Sequence, residues 1–460
     1  MQRHGLTRPR VGAGVDPGLP WRQLERALMS GNSGRSNVIQ RAFSLQYDLP
    51  AGSTSRSGPA TKAPNRATPH VEGYHPPGNE GVRTPSAERM CLDWFLHCLD
   101  RDHAMATTSS FRRTTAGALL VGLSASASAL SFNFSFLPTS SAQDIAGFTA
   151  AGNIWSGLLS DAVTINMTVG TDSLNPGVLA QAGSTQATYS YSSFRSALAA
   201  DATSATDTTA VGTLGLGSTF DMLINRTSNN PNGSGSATAY LDNDGDANNS
   251  TVRLTNANAK AVGLMGASAA EDAKITFGNA FTWDYDPSNG ITAGAYDFIG
   301  IAVHEIGHAL GFISGVDILD INSPPVNGPF ADNQFTFVSA LDLFRYSAAS
   351  TALGVIDWTA STTAKYFSLD NGASTIAGFS TGKNFGDGRQ ASHWKDNLGL
   401  GVMDPTAGTG ELLAISGNDL MAFDTIGWNL APIPEPSTYA LFATGLLGLG
   451  WAKRRSIGRG

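Results

Sequence analysis

The chain has 460 residues, 41% of them hydrophobic and 14% charged, with a formal net charge of −8. Length alone allows two or three domains, but the composition changes along the chain. Residues 130–436 carry 10 basic and 28 acidic side chains, a net charge of −18. A surface this acidic repels phosphate groups, which excludes nucleic acid as a partner.

Residues 1–104 are rich in Arg, Pro, Ser and Gly and show no helical or strand periodicity. This composition is typical of disorder or of sequence that lies upstream of the true start. Residues 105–129 then begin with a basic pair, continue with an apolar run and end with small residues, which is the pattern of a signal peptide. A buried helix is the alternative. Since signal peptides work at the start of a chain, we expect Met105 or Met90 to be the initiator.

Both cysteines, Cys91 and Cys98, precede the predicted signal peptide. The exported protein would therefore contain no disulfide framework, no thiolate metal site and no cysteine switch. A body of about 300 residues can bury an adequate core without disulfides or thiolate metal sites.

The predicted body, residues 130–431, begins with short runs rich in β-branched and aromatic residues, separated by Gly, Asn and Asp. They are AVTINMTVG at 162–170, STVRL at 250–254 and KITFGNAFTWDY at 274–285. These runs predict strands of a mixed sheet. Residues 193–214 have apolar residues at looser helical spacing and predict a helix.

An acidic loop in this half suggests calcium, because Asp242, Asp244 and Asp246 alternate like the first ligands of an EF-hand. The pattern then fails, since Ala247 stands where the glycine is needed and Arg253 where the bidentate glutamate is needed. A solvated turn is the better interpretation, and the sequence gives calcium no further support.

The most informative stretch is DFIGIAVHEIGHALGF at residues 297–312. Asp297 is a suitable N-cap, and the apolar residues that follow predict a largely buried helix. His304 and His308 are one turn apart, so both imidazoles can reach one Zn²⁺. Glu305 can accept a proton from the zinc-bound water, whose pKa zinc lowers towards about 7.

Gly311 follows the second histidine by three residues, so the motif resembles the HExxHxxG of the metzincin metalloproteases. In that family the third zinc ligand falls at the position of Ser314, which is a poor ligand for zinc. A catalytic zinc needs three protein ligands. Asp317, Asp320 and His393 are the alternatives, because no glutamate occurs between residues 306 and 410.

A more particular resemblance is to the leishmanolysin-type metzincins, and it covers residues 290–430. It rests on HEIGHALGF at 304–312, an 84-residue insertion, SHW at 392–394, VMDP at 402–405 and DTIGW at 424–428. The resemblance implies that His304, His308 and His393 bind one catalytic zinc, that Glu305 is the catalytic base, and that Met403 forms the Met-turn beneath the metal. The cysteine pairs of that family are missing here, so its substrate preferences are not carried over.

These residues predict an α+β, metzincin-like fold with a twisted mixed sheet, an active-site helix and a Met-turn. The edge strand of the sheet would pair with an extended protein or peptide substrate. The expected function is a secreted zinc-dependent endopeptidase. A catalytically silent, zinc-stabilised surface protein and a matrix-binding module are the alternatives. The insertion contains LDLFRYS at 341–347, which predicts a strand or a helix edge bordering the cleft.

Residues 432–460 form a second predicted targeting signal, after the signal peptide. Pro434-Glu435-Pro436 is followed by an apolar stretch at 439–451 and a basic cluster at 453–455. This order resembles the PEP-CTERM sorting signal, which implies a Gram-negative bacterium, recognition by an exosortase and delivery to the cell surface or outside. The stretch is short for a spanning helix, so membrane contact is expected only through this tail before processing. A plain C-terminal membrane anchor is the alternative.

Overall fold

The computed structural model describes residues 45–48, 129–328 and 330–432, and all of them belong to one compact unit. The predicted signal peptide, apart from residue 129, and almost all of the sorting tail lie outside the described residues, as does most of the segment before residue 105.

Fifteen strands are formed within these ranges. They are β1 (Leu45–Asp48), β2 (Ser131–Phe136), β3 (Thr164–Asp172), β4 (Val178–Ser184), β5 (Gln186–Ser190), β6 (Met222–Ile224), β7 (Tyr240–Asp242), β8 (Thr251–Thr255), β9 (Ala273–Gly278), β10 (Trp283–Asp284), β11 (Tyr296–Asp297), β12 (Arg345–Tyr346), β13 (Ile356–Asp357), β14 (Lys365–Phe367) and β15 (Ala377–Phe379).

The same part of the chain contains nine α-helices. They are α1 (Ala142–Leu158), α2 (Tyr191–Asp201), α3 (Ala205–Thr213), α4 (Ala247–Ser250), α5 (Asn256–Ala261), α6 (Phe298–Leu310), α7 (Val316–Asn322), α8 (Ala348–Leu353) and α9 (Gly417–Thr425). Short 3-10 helices cover Pro287–Asn289, Asp332–Gln334 and Leu341–Phe344. None of the helices described here is long and apolar enough to cross a membrane.

The main sheet has the strand order β1-β4-β9-β3-β2. Strands β2, β3 and β9 are parallel to one another, whereas β4 is antiparallel to β9 and β1 is antiparallel to β4. Along β3 the side chains of Ile165, Met167 and Val169 alternate into the core, which is the period that a half-buried strand requires. The predicted mixed sheet and α+β class are confirmed, and β1 is a strand that the sequence did not predict.

The helix predicted for residues 193–214 is two helices, α2 and α3. The break is set by a capping box: Asp207 N donates to the Ser204 hydroxyl, and Ser204 N donates to the Asp207 carboxylate. Such a box starts a new helix because it satisfies main-chain donors that have no partner within the helix. The single-helix prediction was wrong because it followed the apolar spacing and overlooked this polar signal.

Helix α6 lies at the centre of the core, where it packs against both α1 and β4. All of its residues except Ile299 are buried. The close approach of α1 is fixed by the Trp155 indole, which donates to the carbonyl of Val303 at 3.0 Å. Phe148 packs edge-on against Phe298 with ring centroids 5.1 Å apart. This packing explains why the helix is apolar on almost every side.

The long insertion after α6 contains short strands that form small sheets. Strand β13 pairs in parallel with β6, and β12, β14 and β15 form a separate antiparallel sheet. Residues 341–347 form a 3-10 helix followed by β12, as the sequence predicted. The insertion is therefore part of the core. At its end it brings residue 393 next to α6.

Candidate metal centre

Helix α6 begins and ends at the predicted residues. The Asp297 carboxylate caps its first turn by accepting the N–H of Gly300 at 2.8 Å, and it also accepts the N–H of Leu413 at 3.1 Å. Gly311 ends the helix with a φ of +122°, a conformation that favours glycine. These two residues fix the position of the helix along its own axis.

The structure brings His304, His308 and His393 together as one buried group, called here the His triad. The Nε2 atoms of His304 and His308 are 3.0 Å apart, and those of His308 and His393 are 3.2 Å apart. The three side chains are 1%, 0% and 1% exposed.

The second ring nitrogen of each imidazole in the His triad faces a main-chain carbonyl oxygen. The Nδ1 atoms of His304, His308 and His393 lie 2.7, 2.7 and 3.3 Å from the carbonyl oxygens of Val402, Phe312 and Gln390. A carbonyl can only accept, so each Nδ1 carries the hydrogen and each Nε2 presents a lone pair. Three lone pairs that converge in this way repel one another unless a cation lies between them.

This donor set fits zinc. Tetrahedral zinc with Zn–N bonds of about 2.0–2.1 Å holds its ligand nitrogens about 3.3 Å apart, close to the measured separations. Burial, together with the neighbouring imidazoles, lowers the pKa of all three histidines well below the usual value, which favours the neutral form that binds metals. Hydrogen bonds from Nδ1 to carbonyls are also the usual outer shell of metal-bound histidines.

Glu305 is 1% exposed, and its Oε2 atom has no hydrogen-bond partner among the described protein atoms. Burial raises the pKa of this carboxyl well above its usual range. A buried carboxyl oxygen without a partner is costly, so the arrangement suits a group that is completed by a ligand or by water.

Met403 lies beneath the helix between the two histidines of the motif. It is fully buried, and a Cβ added at Gly307 would stand 2.6 Å from its sulfur. The preceding residue, Val402, supplies the carbonyl that holds His304. Met403 therefore packs against the turn of α6 that carries the two histidines of the motif.

Asp419 is a positioning residue that sequence reasoning missed. Its carboxylate, 0% exposed, accepts four N–H groups: Trp394 Nε1 at 2.8 Å, Val402 N at 2.9 Å, Met403 N at 3.3 Å and Ser416 N at 2.7 Å. It thus ties the segment after the third histidine to the turn and to α9. The available signal was the capping box at the start of α9, in which Asp419 is the third helical residue.

The two aspartates that were alternative ligands serve a different purpose. Asp317 accepts the N–H groups of Ala391 at 2.6 Å and of Ser392 at 3.1 Å. Asp320 accepts two N–H groups from residues 384–385. Neither belongs to the His triad. Both carboxylates instead hold the loop that delivers the third histidine.

Ser314, at the usual metzincin ligand position, is likewise part of the support. Its N–H donates to the Ser392 hydroxyl at 2.8 Å, and its own hydroxyl donates to the buried Asp342 at 2.6 Å. Asp342 is also 3.4 Å from the buried Arg345, whose guanidinium donates to the carbonyl of Ala391. This network holds the insertion against the end of α6.

Comparison with known proteins adds one finding. Residues 432–455 match the PEP-CTERM protein-sorting motif. This confirms the predicted sorting signal, which implies export to the surface of a Gram-negative bacterium by exosortase-type machinery. No curated protein and no solved structure matches the chain significantly.

Proposed function

We propose that the chain is a secreted zinc-dependent endopeptidase in which the His triad holds the metal and Glu305 is the catalytic base. The observation that carries the proposal is the convergence of three Nε2 lone pairs beside α6, with each imidazole fixed by a carbonyl at Nδ1. Helix α6 also bears Glu305, whose buried Oε2 has no hydrogen-bond partner among the described protein atoms.

The metzincin resemblance supports the same proposal. Its motif residues occupy suitable places: Gly311 ends the helix, Met403 lies under it, and Trp394 packs edge-on against Phe312 with centroids 4.8 Å apart. The mixed sheet and the central helix suit a leishmanolysin-like metzincin fold.

A zinc ion held by three imidazoles supplies Lewis acidity and lowers the pKa of water towards about 7. The residues of the chain supply the rest. Glu305 accepts a proton from the attacking water and returns it to the nitrogen of the leaving amine. The carbonyls of Val402 and Phe312 keep the imidazoles oriented, so no reorganisation is needed as charge develops.

The sheet offers a place for an extended substrate. Strand β4 packs against α6, and its outer edge pairs antiparallel with β1, with Leu45 opposite Ala182 and Gln46 opposite Gln181. This edge therefore accepts an extended chain. A peptide substrate would take the place of β1 along this edge.

One observation favours the second candidate, a catalytically silent zinc-stabilised surface protein. The imidazoles are almost completely buried, as in structural zinc sites. Structural sites, however, usually have four protein ligands, whereas the described residues bring three together here. Three ligands and a buried glutamate favour the enzyme.

The test is zinc content and casein hydrolysis for the wild type and for Glu305→Gln and His393→Ala. An endopeptidase should lose cleavage in Glu305→Gln by at least about 100-fold while keeping one zinc per chain, because general-base catalysis contributes 10²–10⁴-fold. His393→Ala should lose both. Zinc-loaded wild type without cleavage would favour the silent protein, and wild type without zinc would leave only a matrix-binding module.

A further inference from the structure

Strand β2 is an open edge of the main sheet. Among the described residues it pairs with β3 on one side and with no strand on the other. The N–H groups of Ser131 and Leu137 donate towards β3, to the carbonyls of residues 163 and 169 at 3.0 and 2.9 Å. Because successive strand residues point their main-chain groups to opposite sides, those of Phe132, Phe134 and Phe136 point to the open side. Such a row of free donors and acceptors is a template for another β-strand.

The edge lacks the devices that keep such strands apart in other proteins. Strand β2 has the sequence SFNFSF, with no charge, no proline and no bulge in its register with β3. Residues 129–160 contain one charged side chain, Asp144, which is 4% exposed. The body of the protein has a net charge of −18, but β2 and α1 present no exposed charge. Two acidic copies of the chain can therefore meet here without local repulsion.

The side of β2 that faces α1 carries a row of three half-buried phenylalanines. The rings of Phe132 and Phe134 are stacked with centroids 5.6 Å apart, and Phe136 continues the row at 6.0 Å. The row packs against Gly152 of α1, where an added Cβ would stand 2.8 Å from Phe134. Ile145, two turns earlier on the same side of α1, is 39% exposed. A strand added at the open edge would cover these rings further.

The sequence of β2 fits a second copy of itself, because SFNFS at 131–135 reads the same in both directions. In an antiparallel pair centred on Asn133, Phe132 lies opposite Phe134 of the second copy, and Ser131 lies opposite Ser135 of the second copy. The phenylalanine main-chain groups are those that point outward, so both phenylalanine pairs are hydrogen-bonded pairs. The two copies of Asn133 meet as a pair without main-chain hydrogen bonds, in which side chains are closest.

We infer that the β2 edge is a dimer interface, at which two copies of the chain join their main sheets about a two-fold axis through Asn133. The contact is isologous and closes after two copies. The axis is perpendicular to the sheet, so α1 of both copies lies on the same side of the joined sheet. The opposite edge, formed by β4 and β1, takes no part. The inference does not depend on the proposed protease activity.

The experiment is sedimentation equilibrium of the full chain over a concentration series, with Asn133→Lys and Asn133→Asp as variants. For the wild type we expect twice the chain mass at high concentration, with Kd on the order of 10⁻⁵ M, as for a small interface. Each variant places like charges opposite each other at the axis and should weaken association by at least about 10-fold. The matched control is Asn279→Lys, at an exposed asparagine outside the edge, which should change Kd less than about twofold.

An equimolar mixture of the two variants tests the two-fold pairing itself. Opposite charges then meet at the axis, so the mixed dimer should form at least about 10-fold more tightly than either variant alone. Asn133 is exposed, and melting temperatures within a few degrees of the wild type would show that both variants are folded. A wild type that stays monomeric at the highest concentration would overturn the inference and leave the edge to a different extended segment. Equal association of wild type and Asn133→Lys, or a mixture as weak as the single variants, would also overturn it.

Discussion

Replacing Asp419 by asparagine removes one acceptor oxygen from the point where three segments meet. Oδ1 accepts Trp394 Nε1 and Met403 N, and Oδ2 accepts Val402 N and Ser416 N. Asparagine keeps one oxygen, so two buried N–H groups lose their acceptor and face an NH₂ group. Each such donor costs about 1–3 kcal/mol, which gives a loss of about 2–6 kcal/mol.

The loss should reach the metal centre. Val402 carries the carbonyl that holds His304, and Trp394 follows His393 directly. Loss of an outer-shell partner typically weakens metal binding by about 10–100-fold. We therefore expect Asp419→Asn to lower the melting temperature by about 4–24 °C, at about 2–4 °C per kcal/mol, and to weaken zinc binding by about 10-fold or more.

Thermal unfolding and zinc competition against a chelator measure the two effects. The control is Asp404→Asn. Asp404 follows Met403 directly, but within the described residues its carboxylate accepts from residues 397 and 406. It should leave zinc affinity within threefold. If Asp419→Asn also stays within threefold of the wild type, the carboxylate does not orient the ligands and the reasoning fails.

Two further predictions concern packing and pH. Gly307→Ala places a methyl group 2.6 Å from the Met403 sulfur. We therefore expect the free energy of unfolding to fall by about 1–3 kcal/mol, and Met403→Ala to relieve part of this loss. The control Gly157→Ala adds a methyl group in open space on α1 and should not destabilise the protein. Burial, with nearby carboxylates, raises the pKa of Asp201 to about 6, so this group destabilises the fold increasingly as pH rises from about 4 through 6. Asp201→Asn should thus raise the melting temperature by about 1–3 °C at pH 7.5 and leave it unchanged at pH 4; an equal change at both pH values would contradict the titration.

Helix α6 could be predicted because its signals are local. Asp297 caps it, Gly311 ends it, and the spacing of His304 and His308 follows from the helical period itself. Strands β3 and β9 of the main sheet lie in runs that were predicted for the same reason, since the pattern along one strand needs no knowledge of its neighbours. The division of the predicted helix at Ser204 was equally local, but its signal is polar and was missed.

Other features depended on residues far apart in the sequence. The sequence left Asp317, Asp320 and His393 as alternative ligands, and only the folded insertion brings His393 to α6 while turning the aspartates towards main-chain N–H groups. The role of Asp419 has the same origin, because most of its partners come from distant segments.

The sequence by itself determined the helix, the chemistry of its side chains and the C-terminal sorting signal, since each depends on neighbours within a few residues. Only the tertiary structure decided which third side chain joins His304 and His308, and what holds that side chain in place. A buried donor or acceptor pairs with the group that the fold places beside it. A short sequence pattern does not encode which distant residue supplies that group.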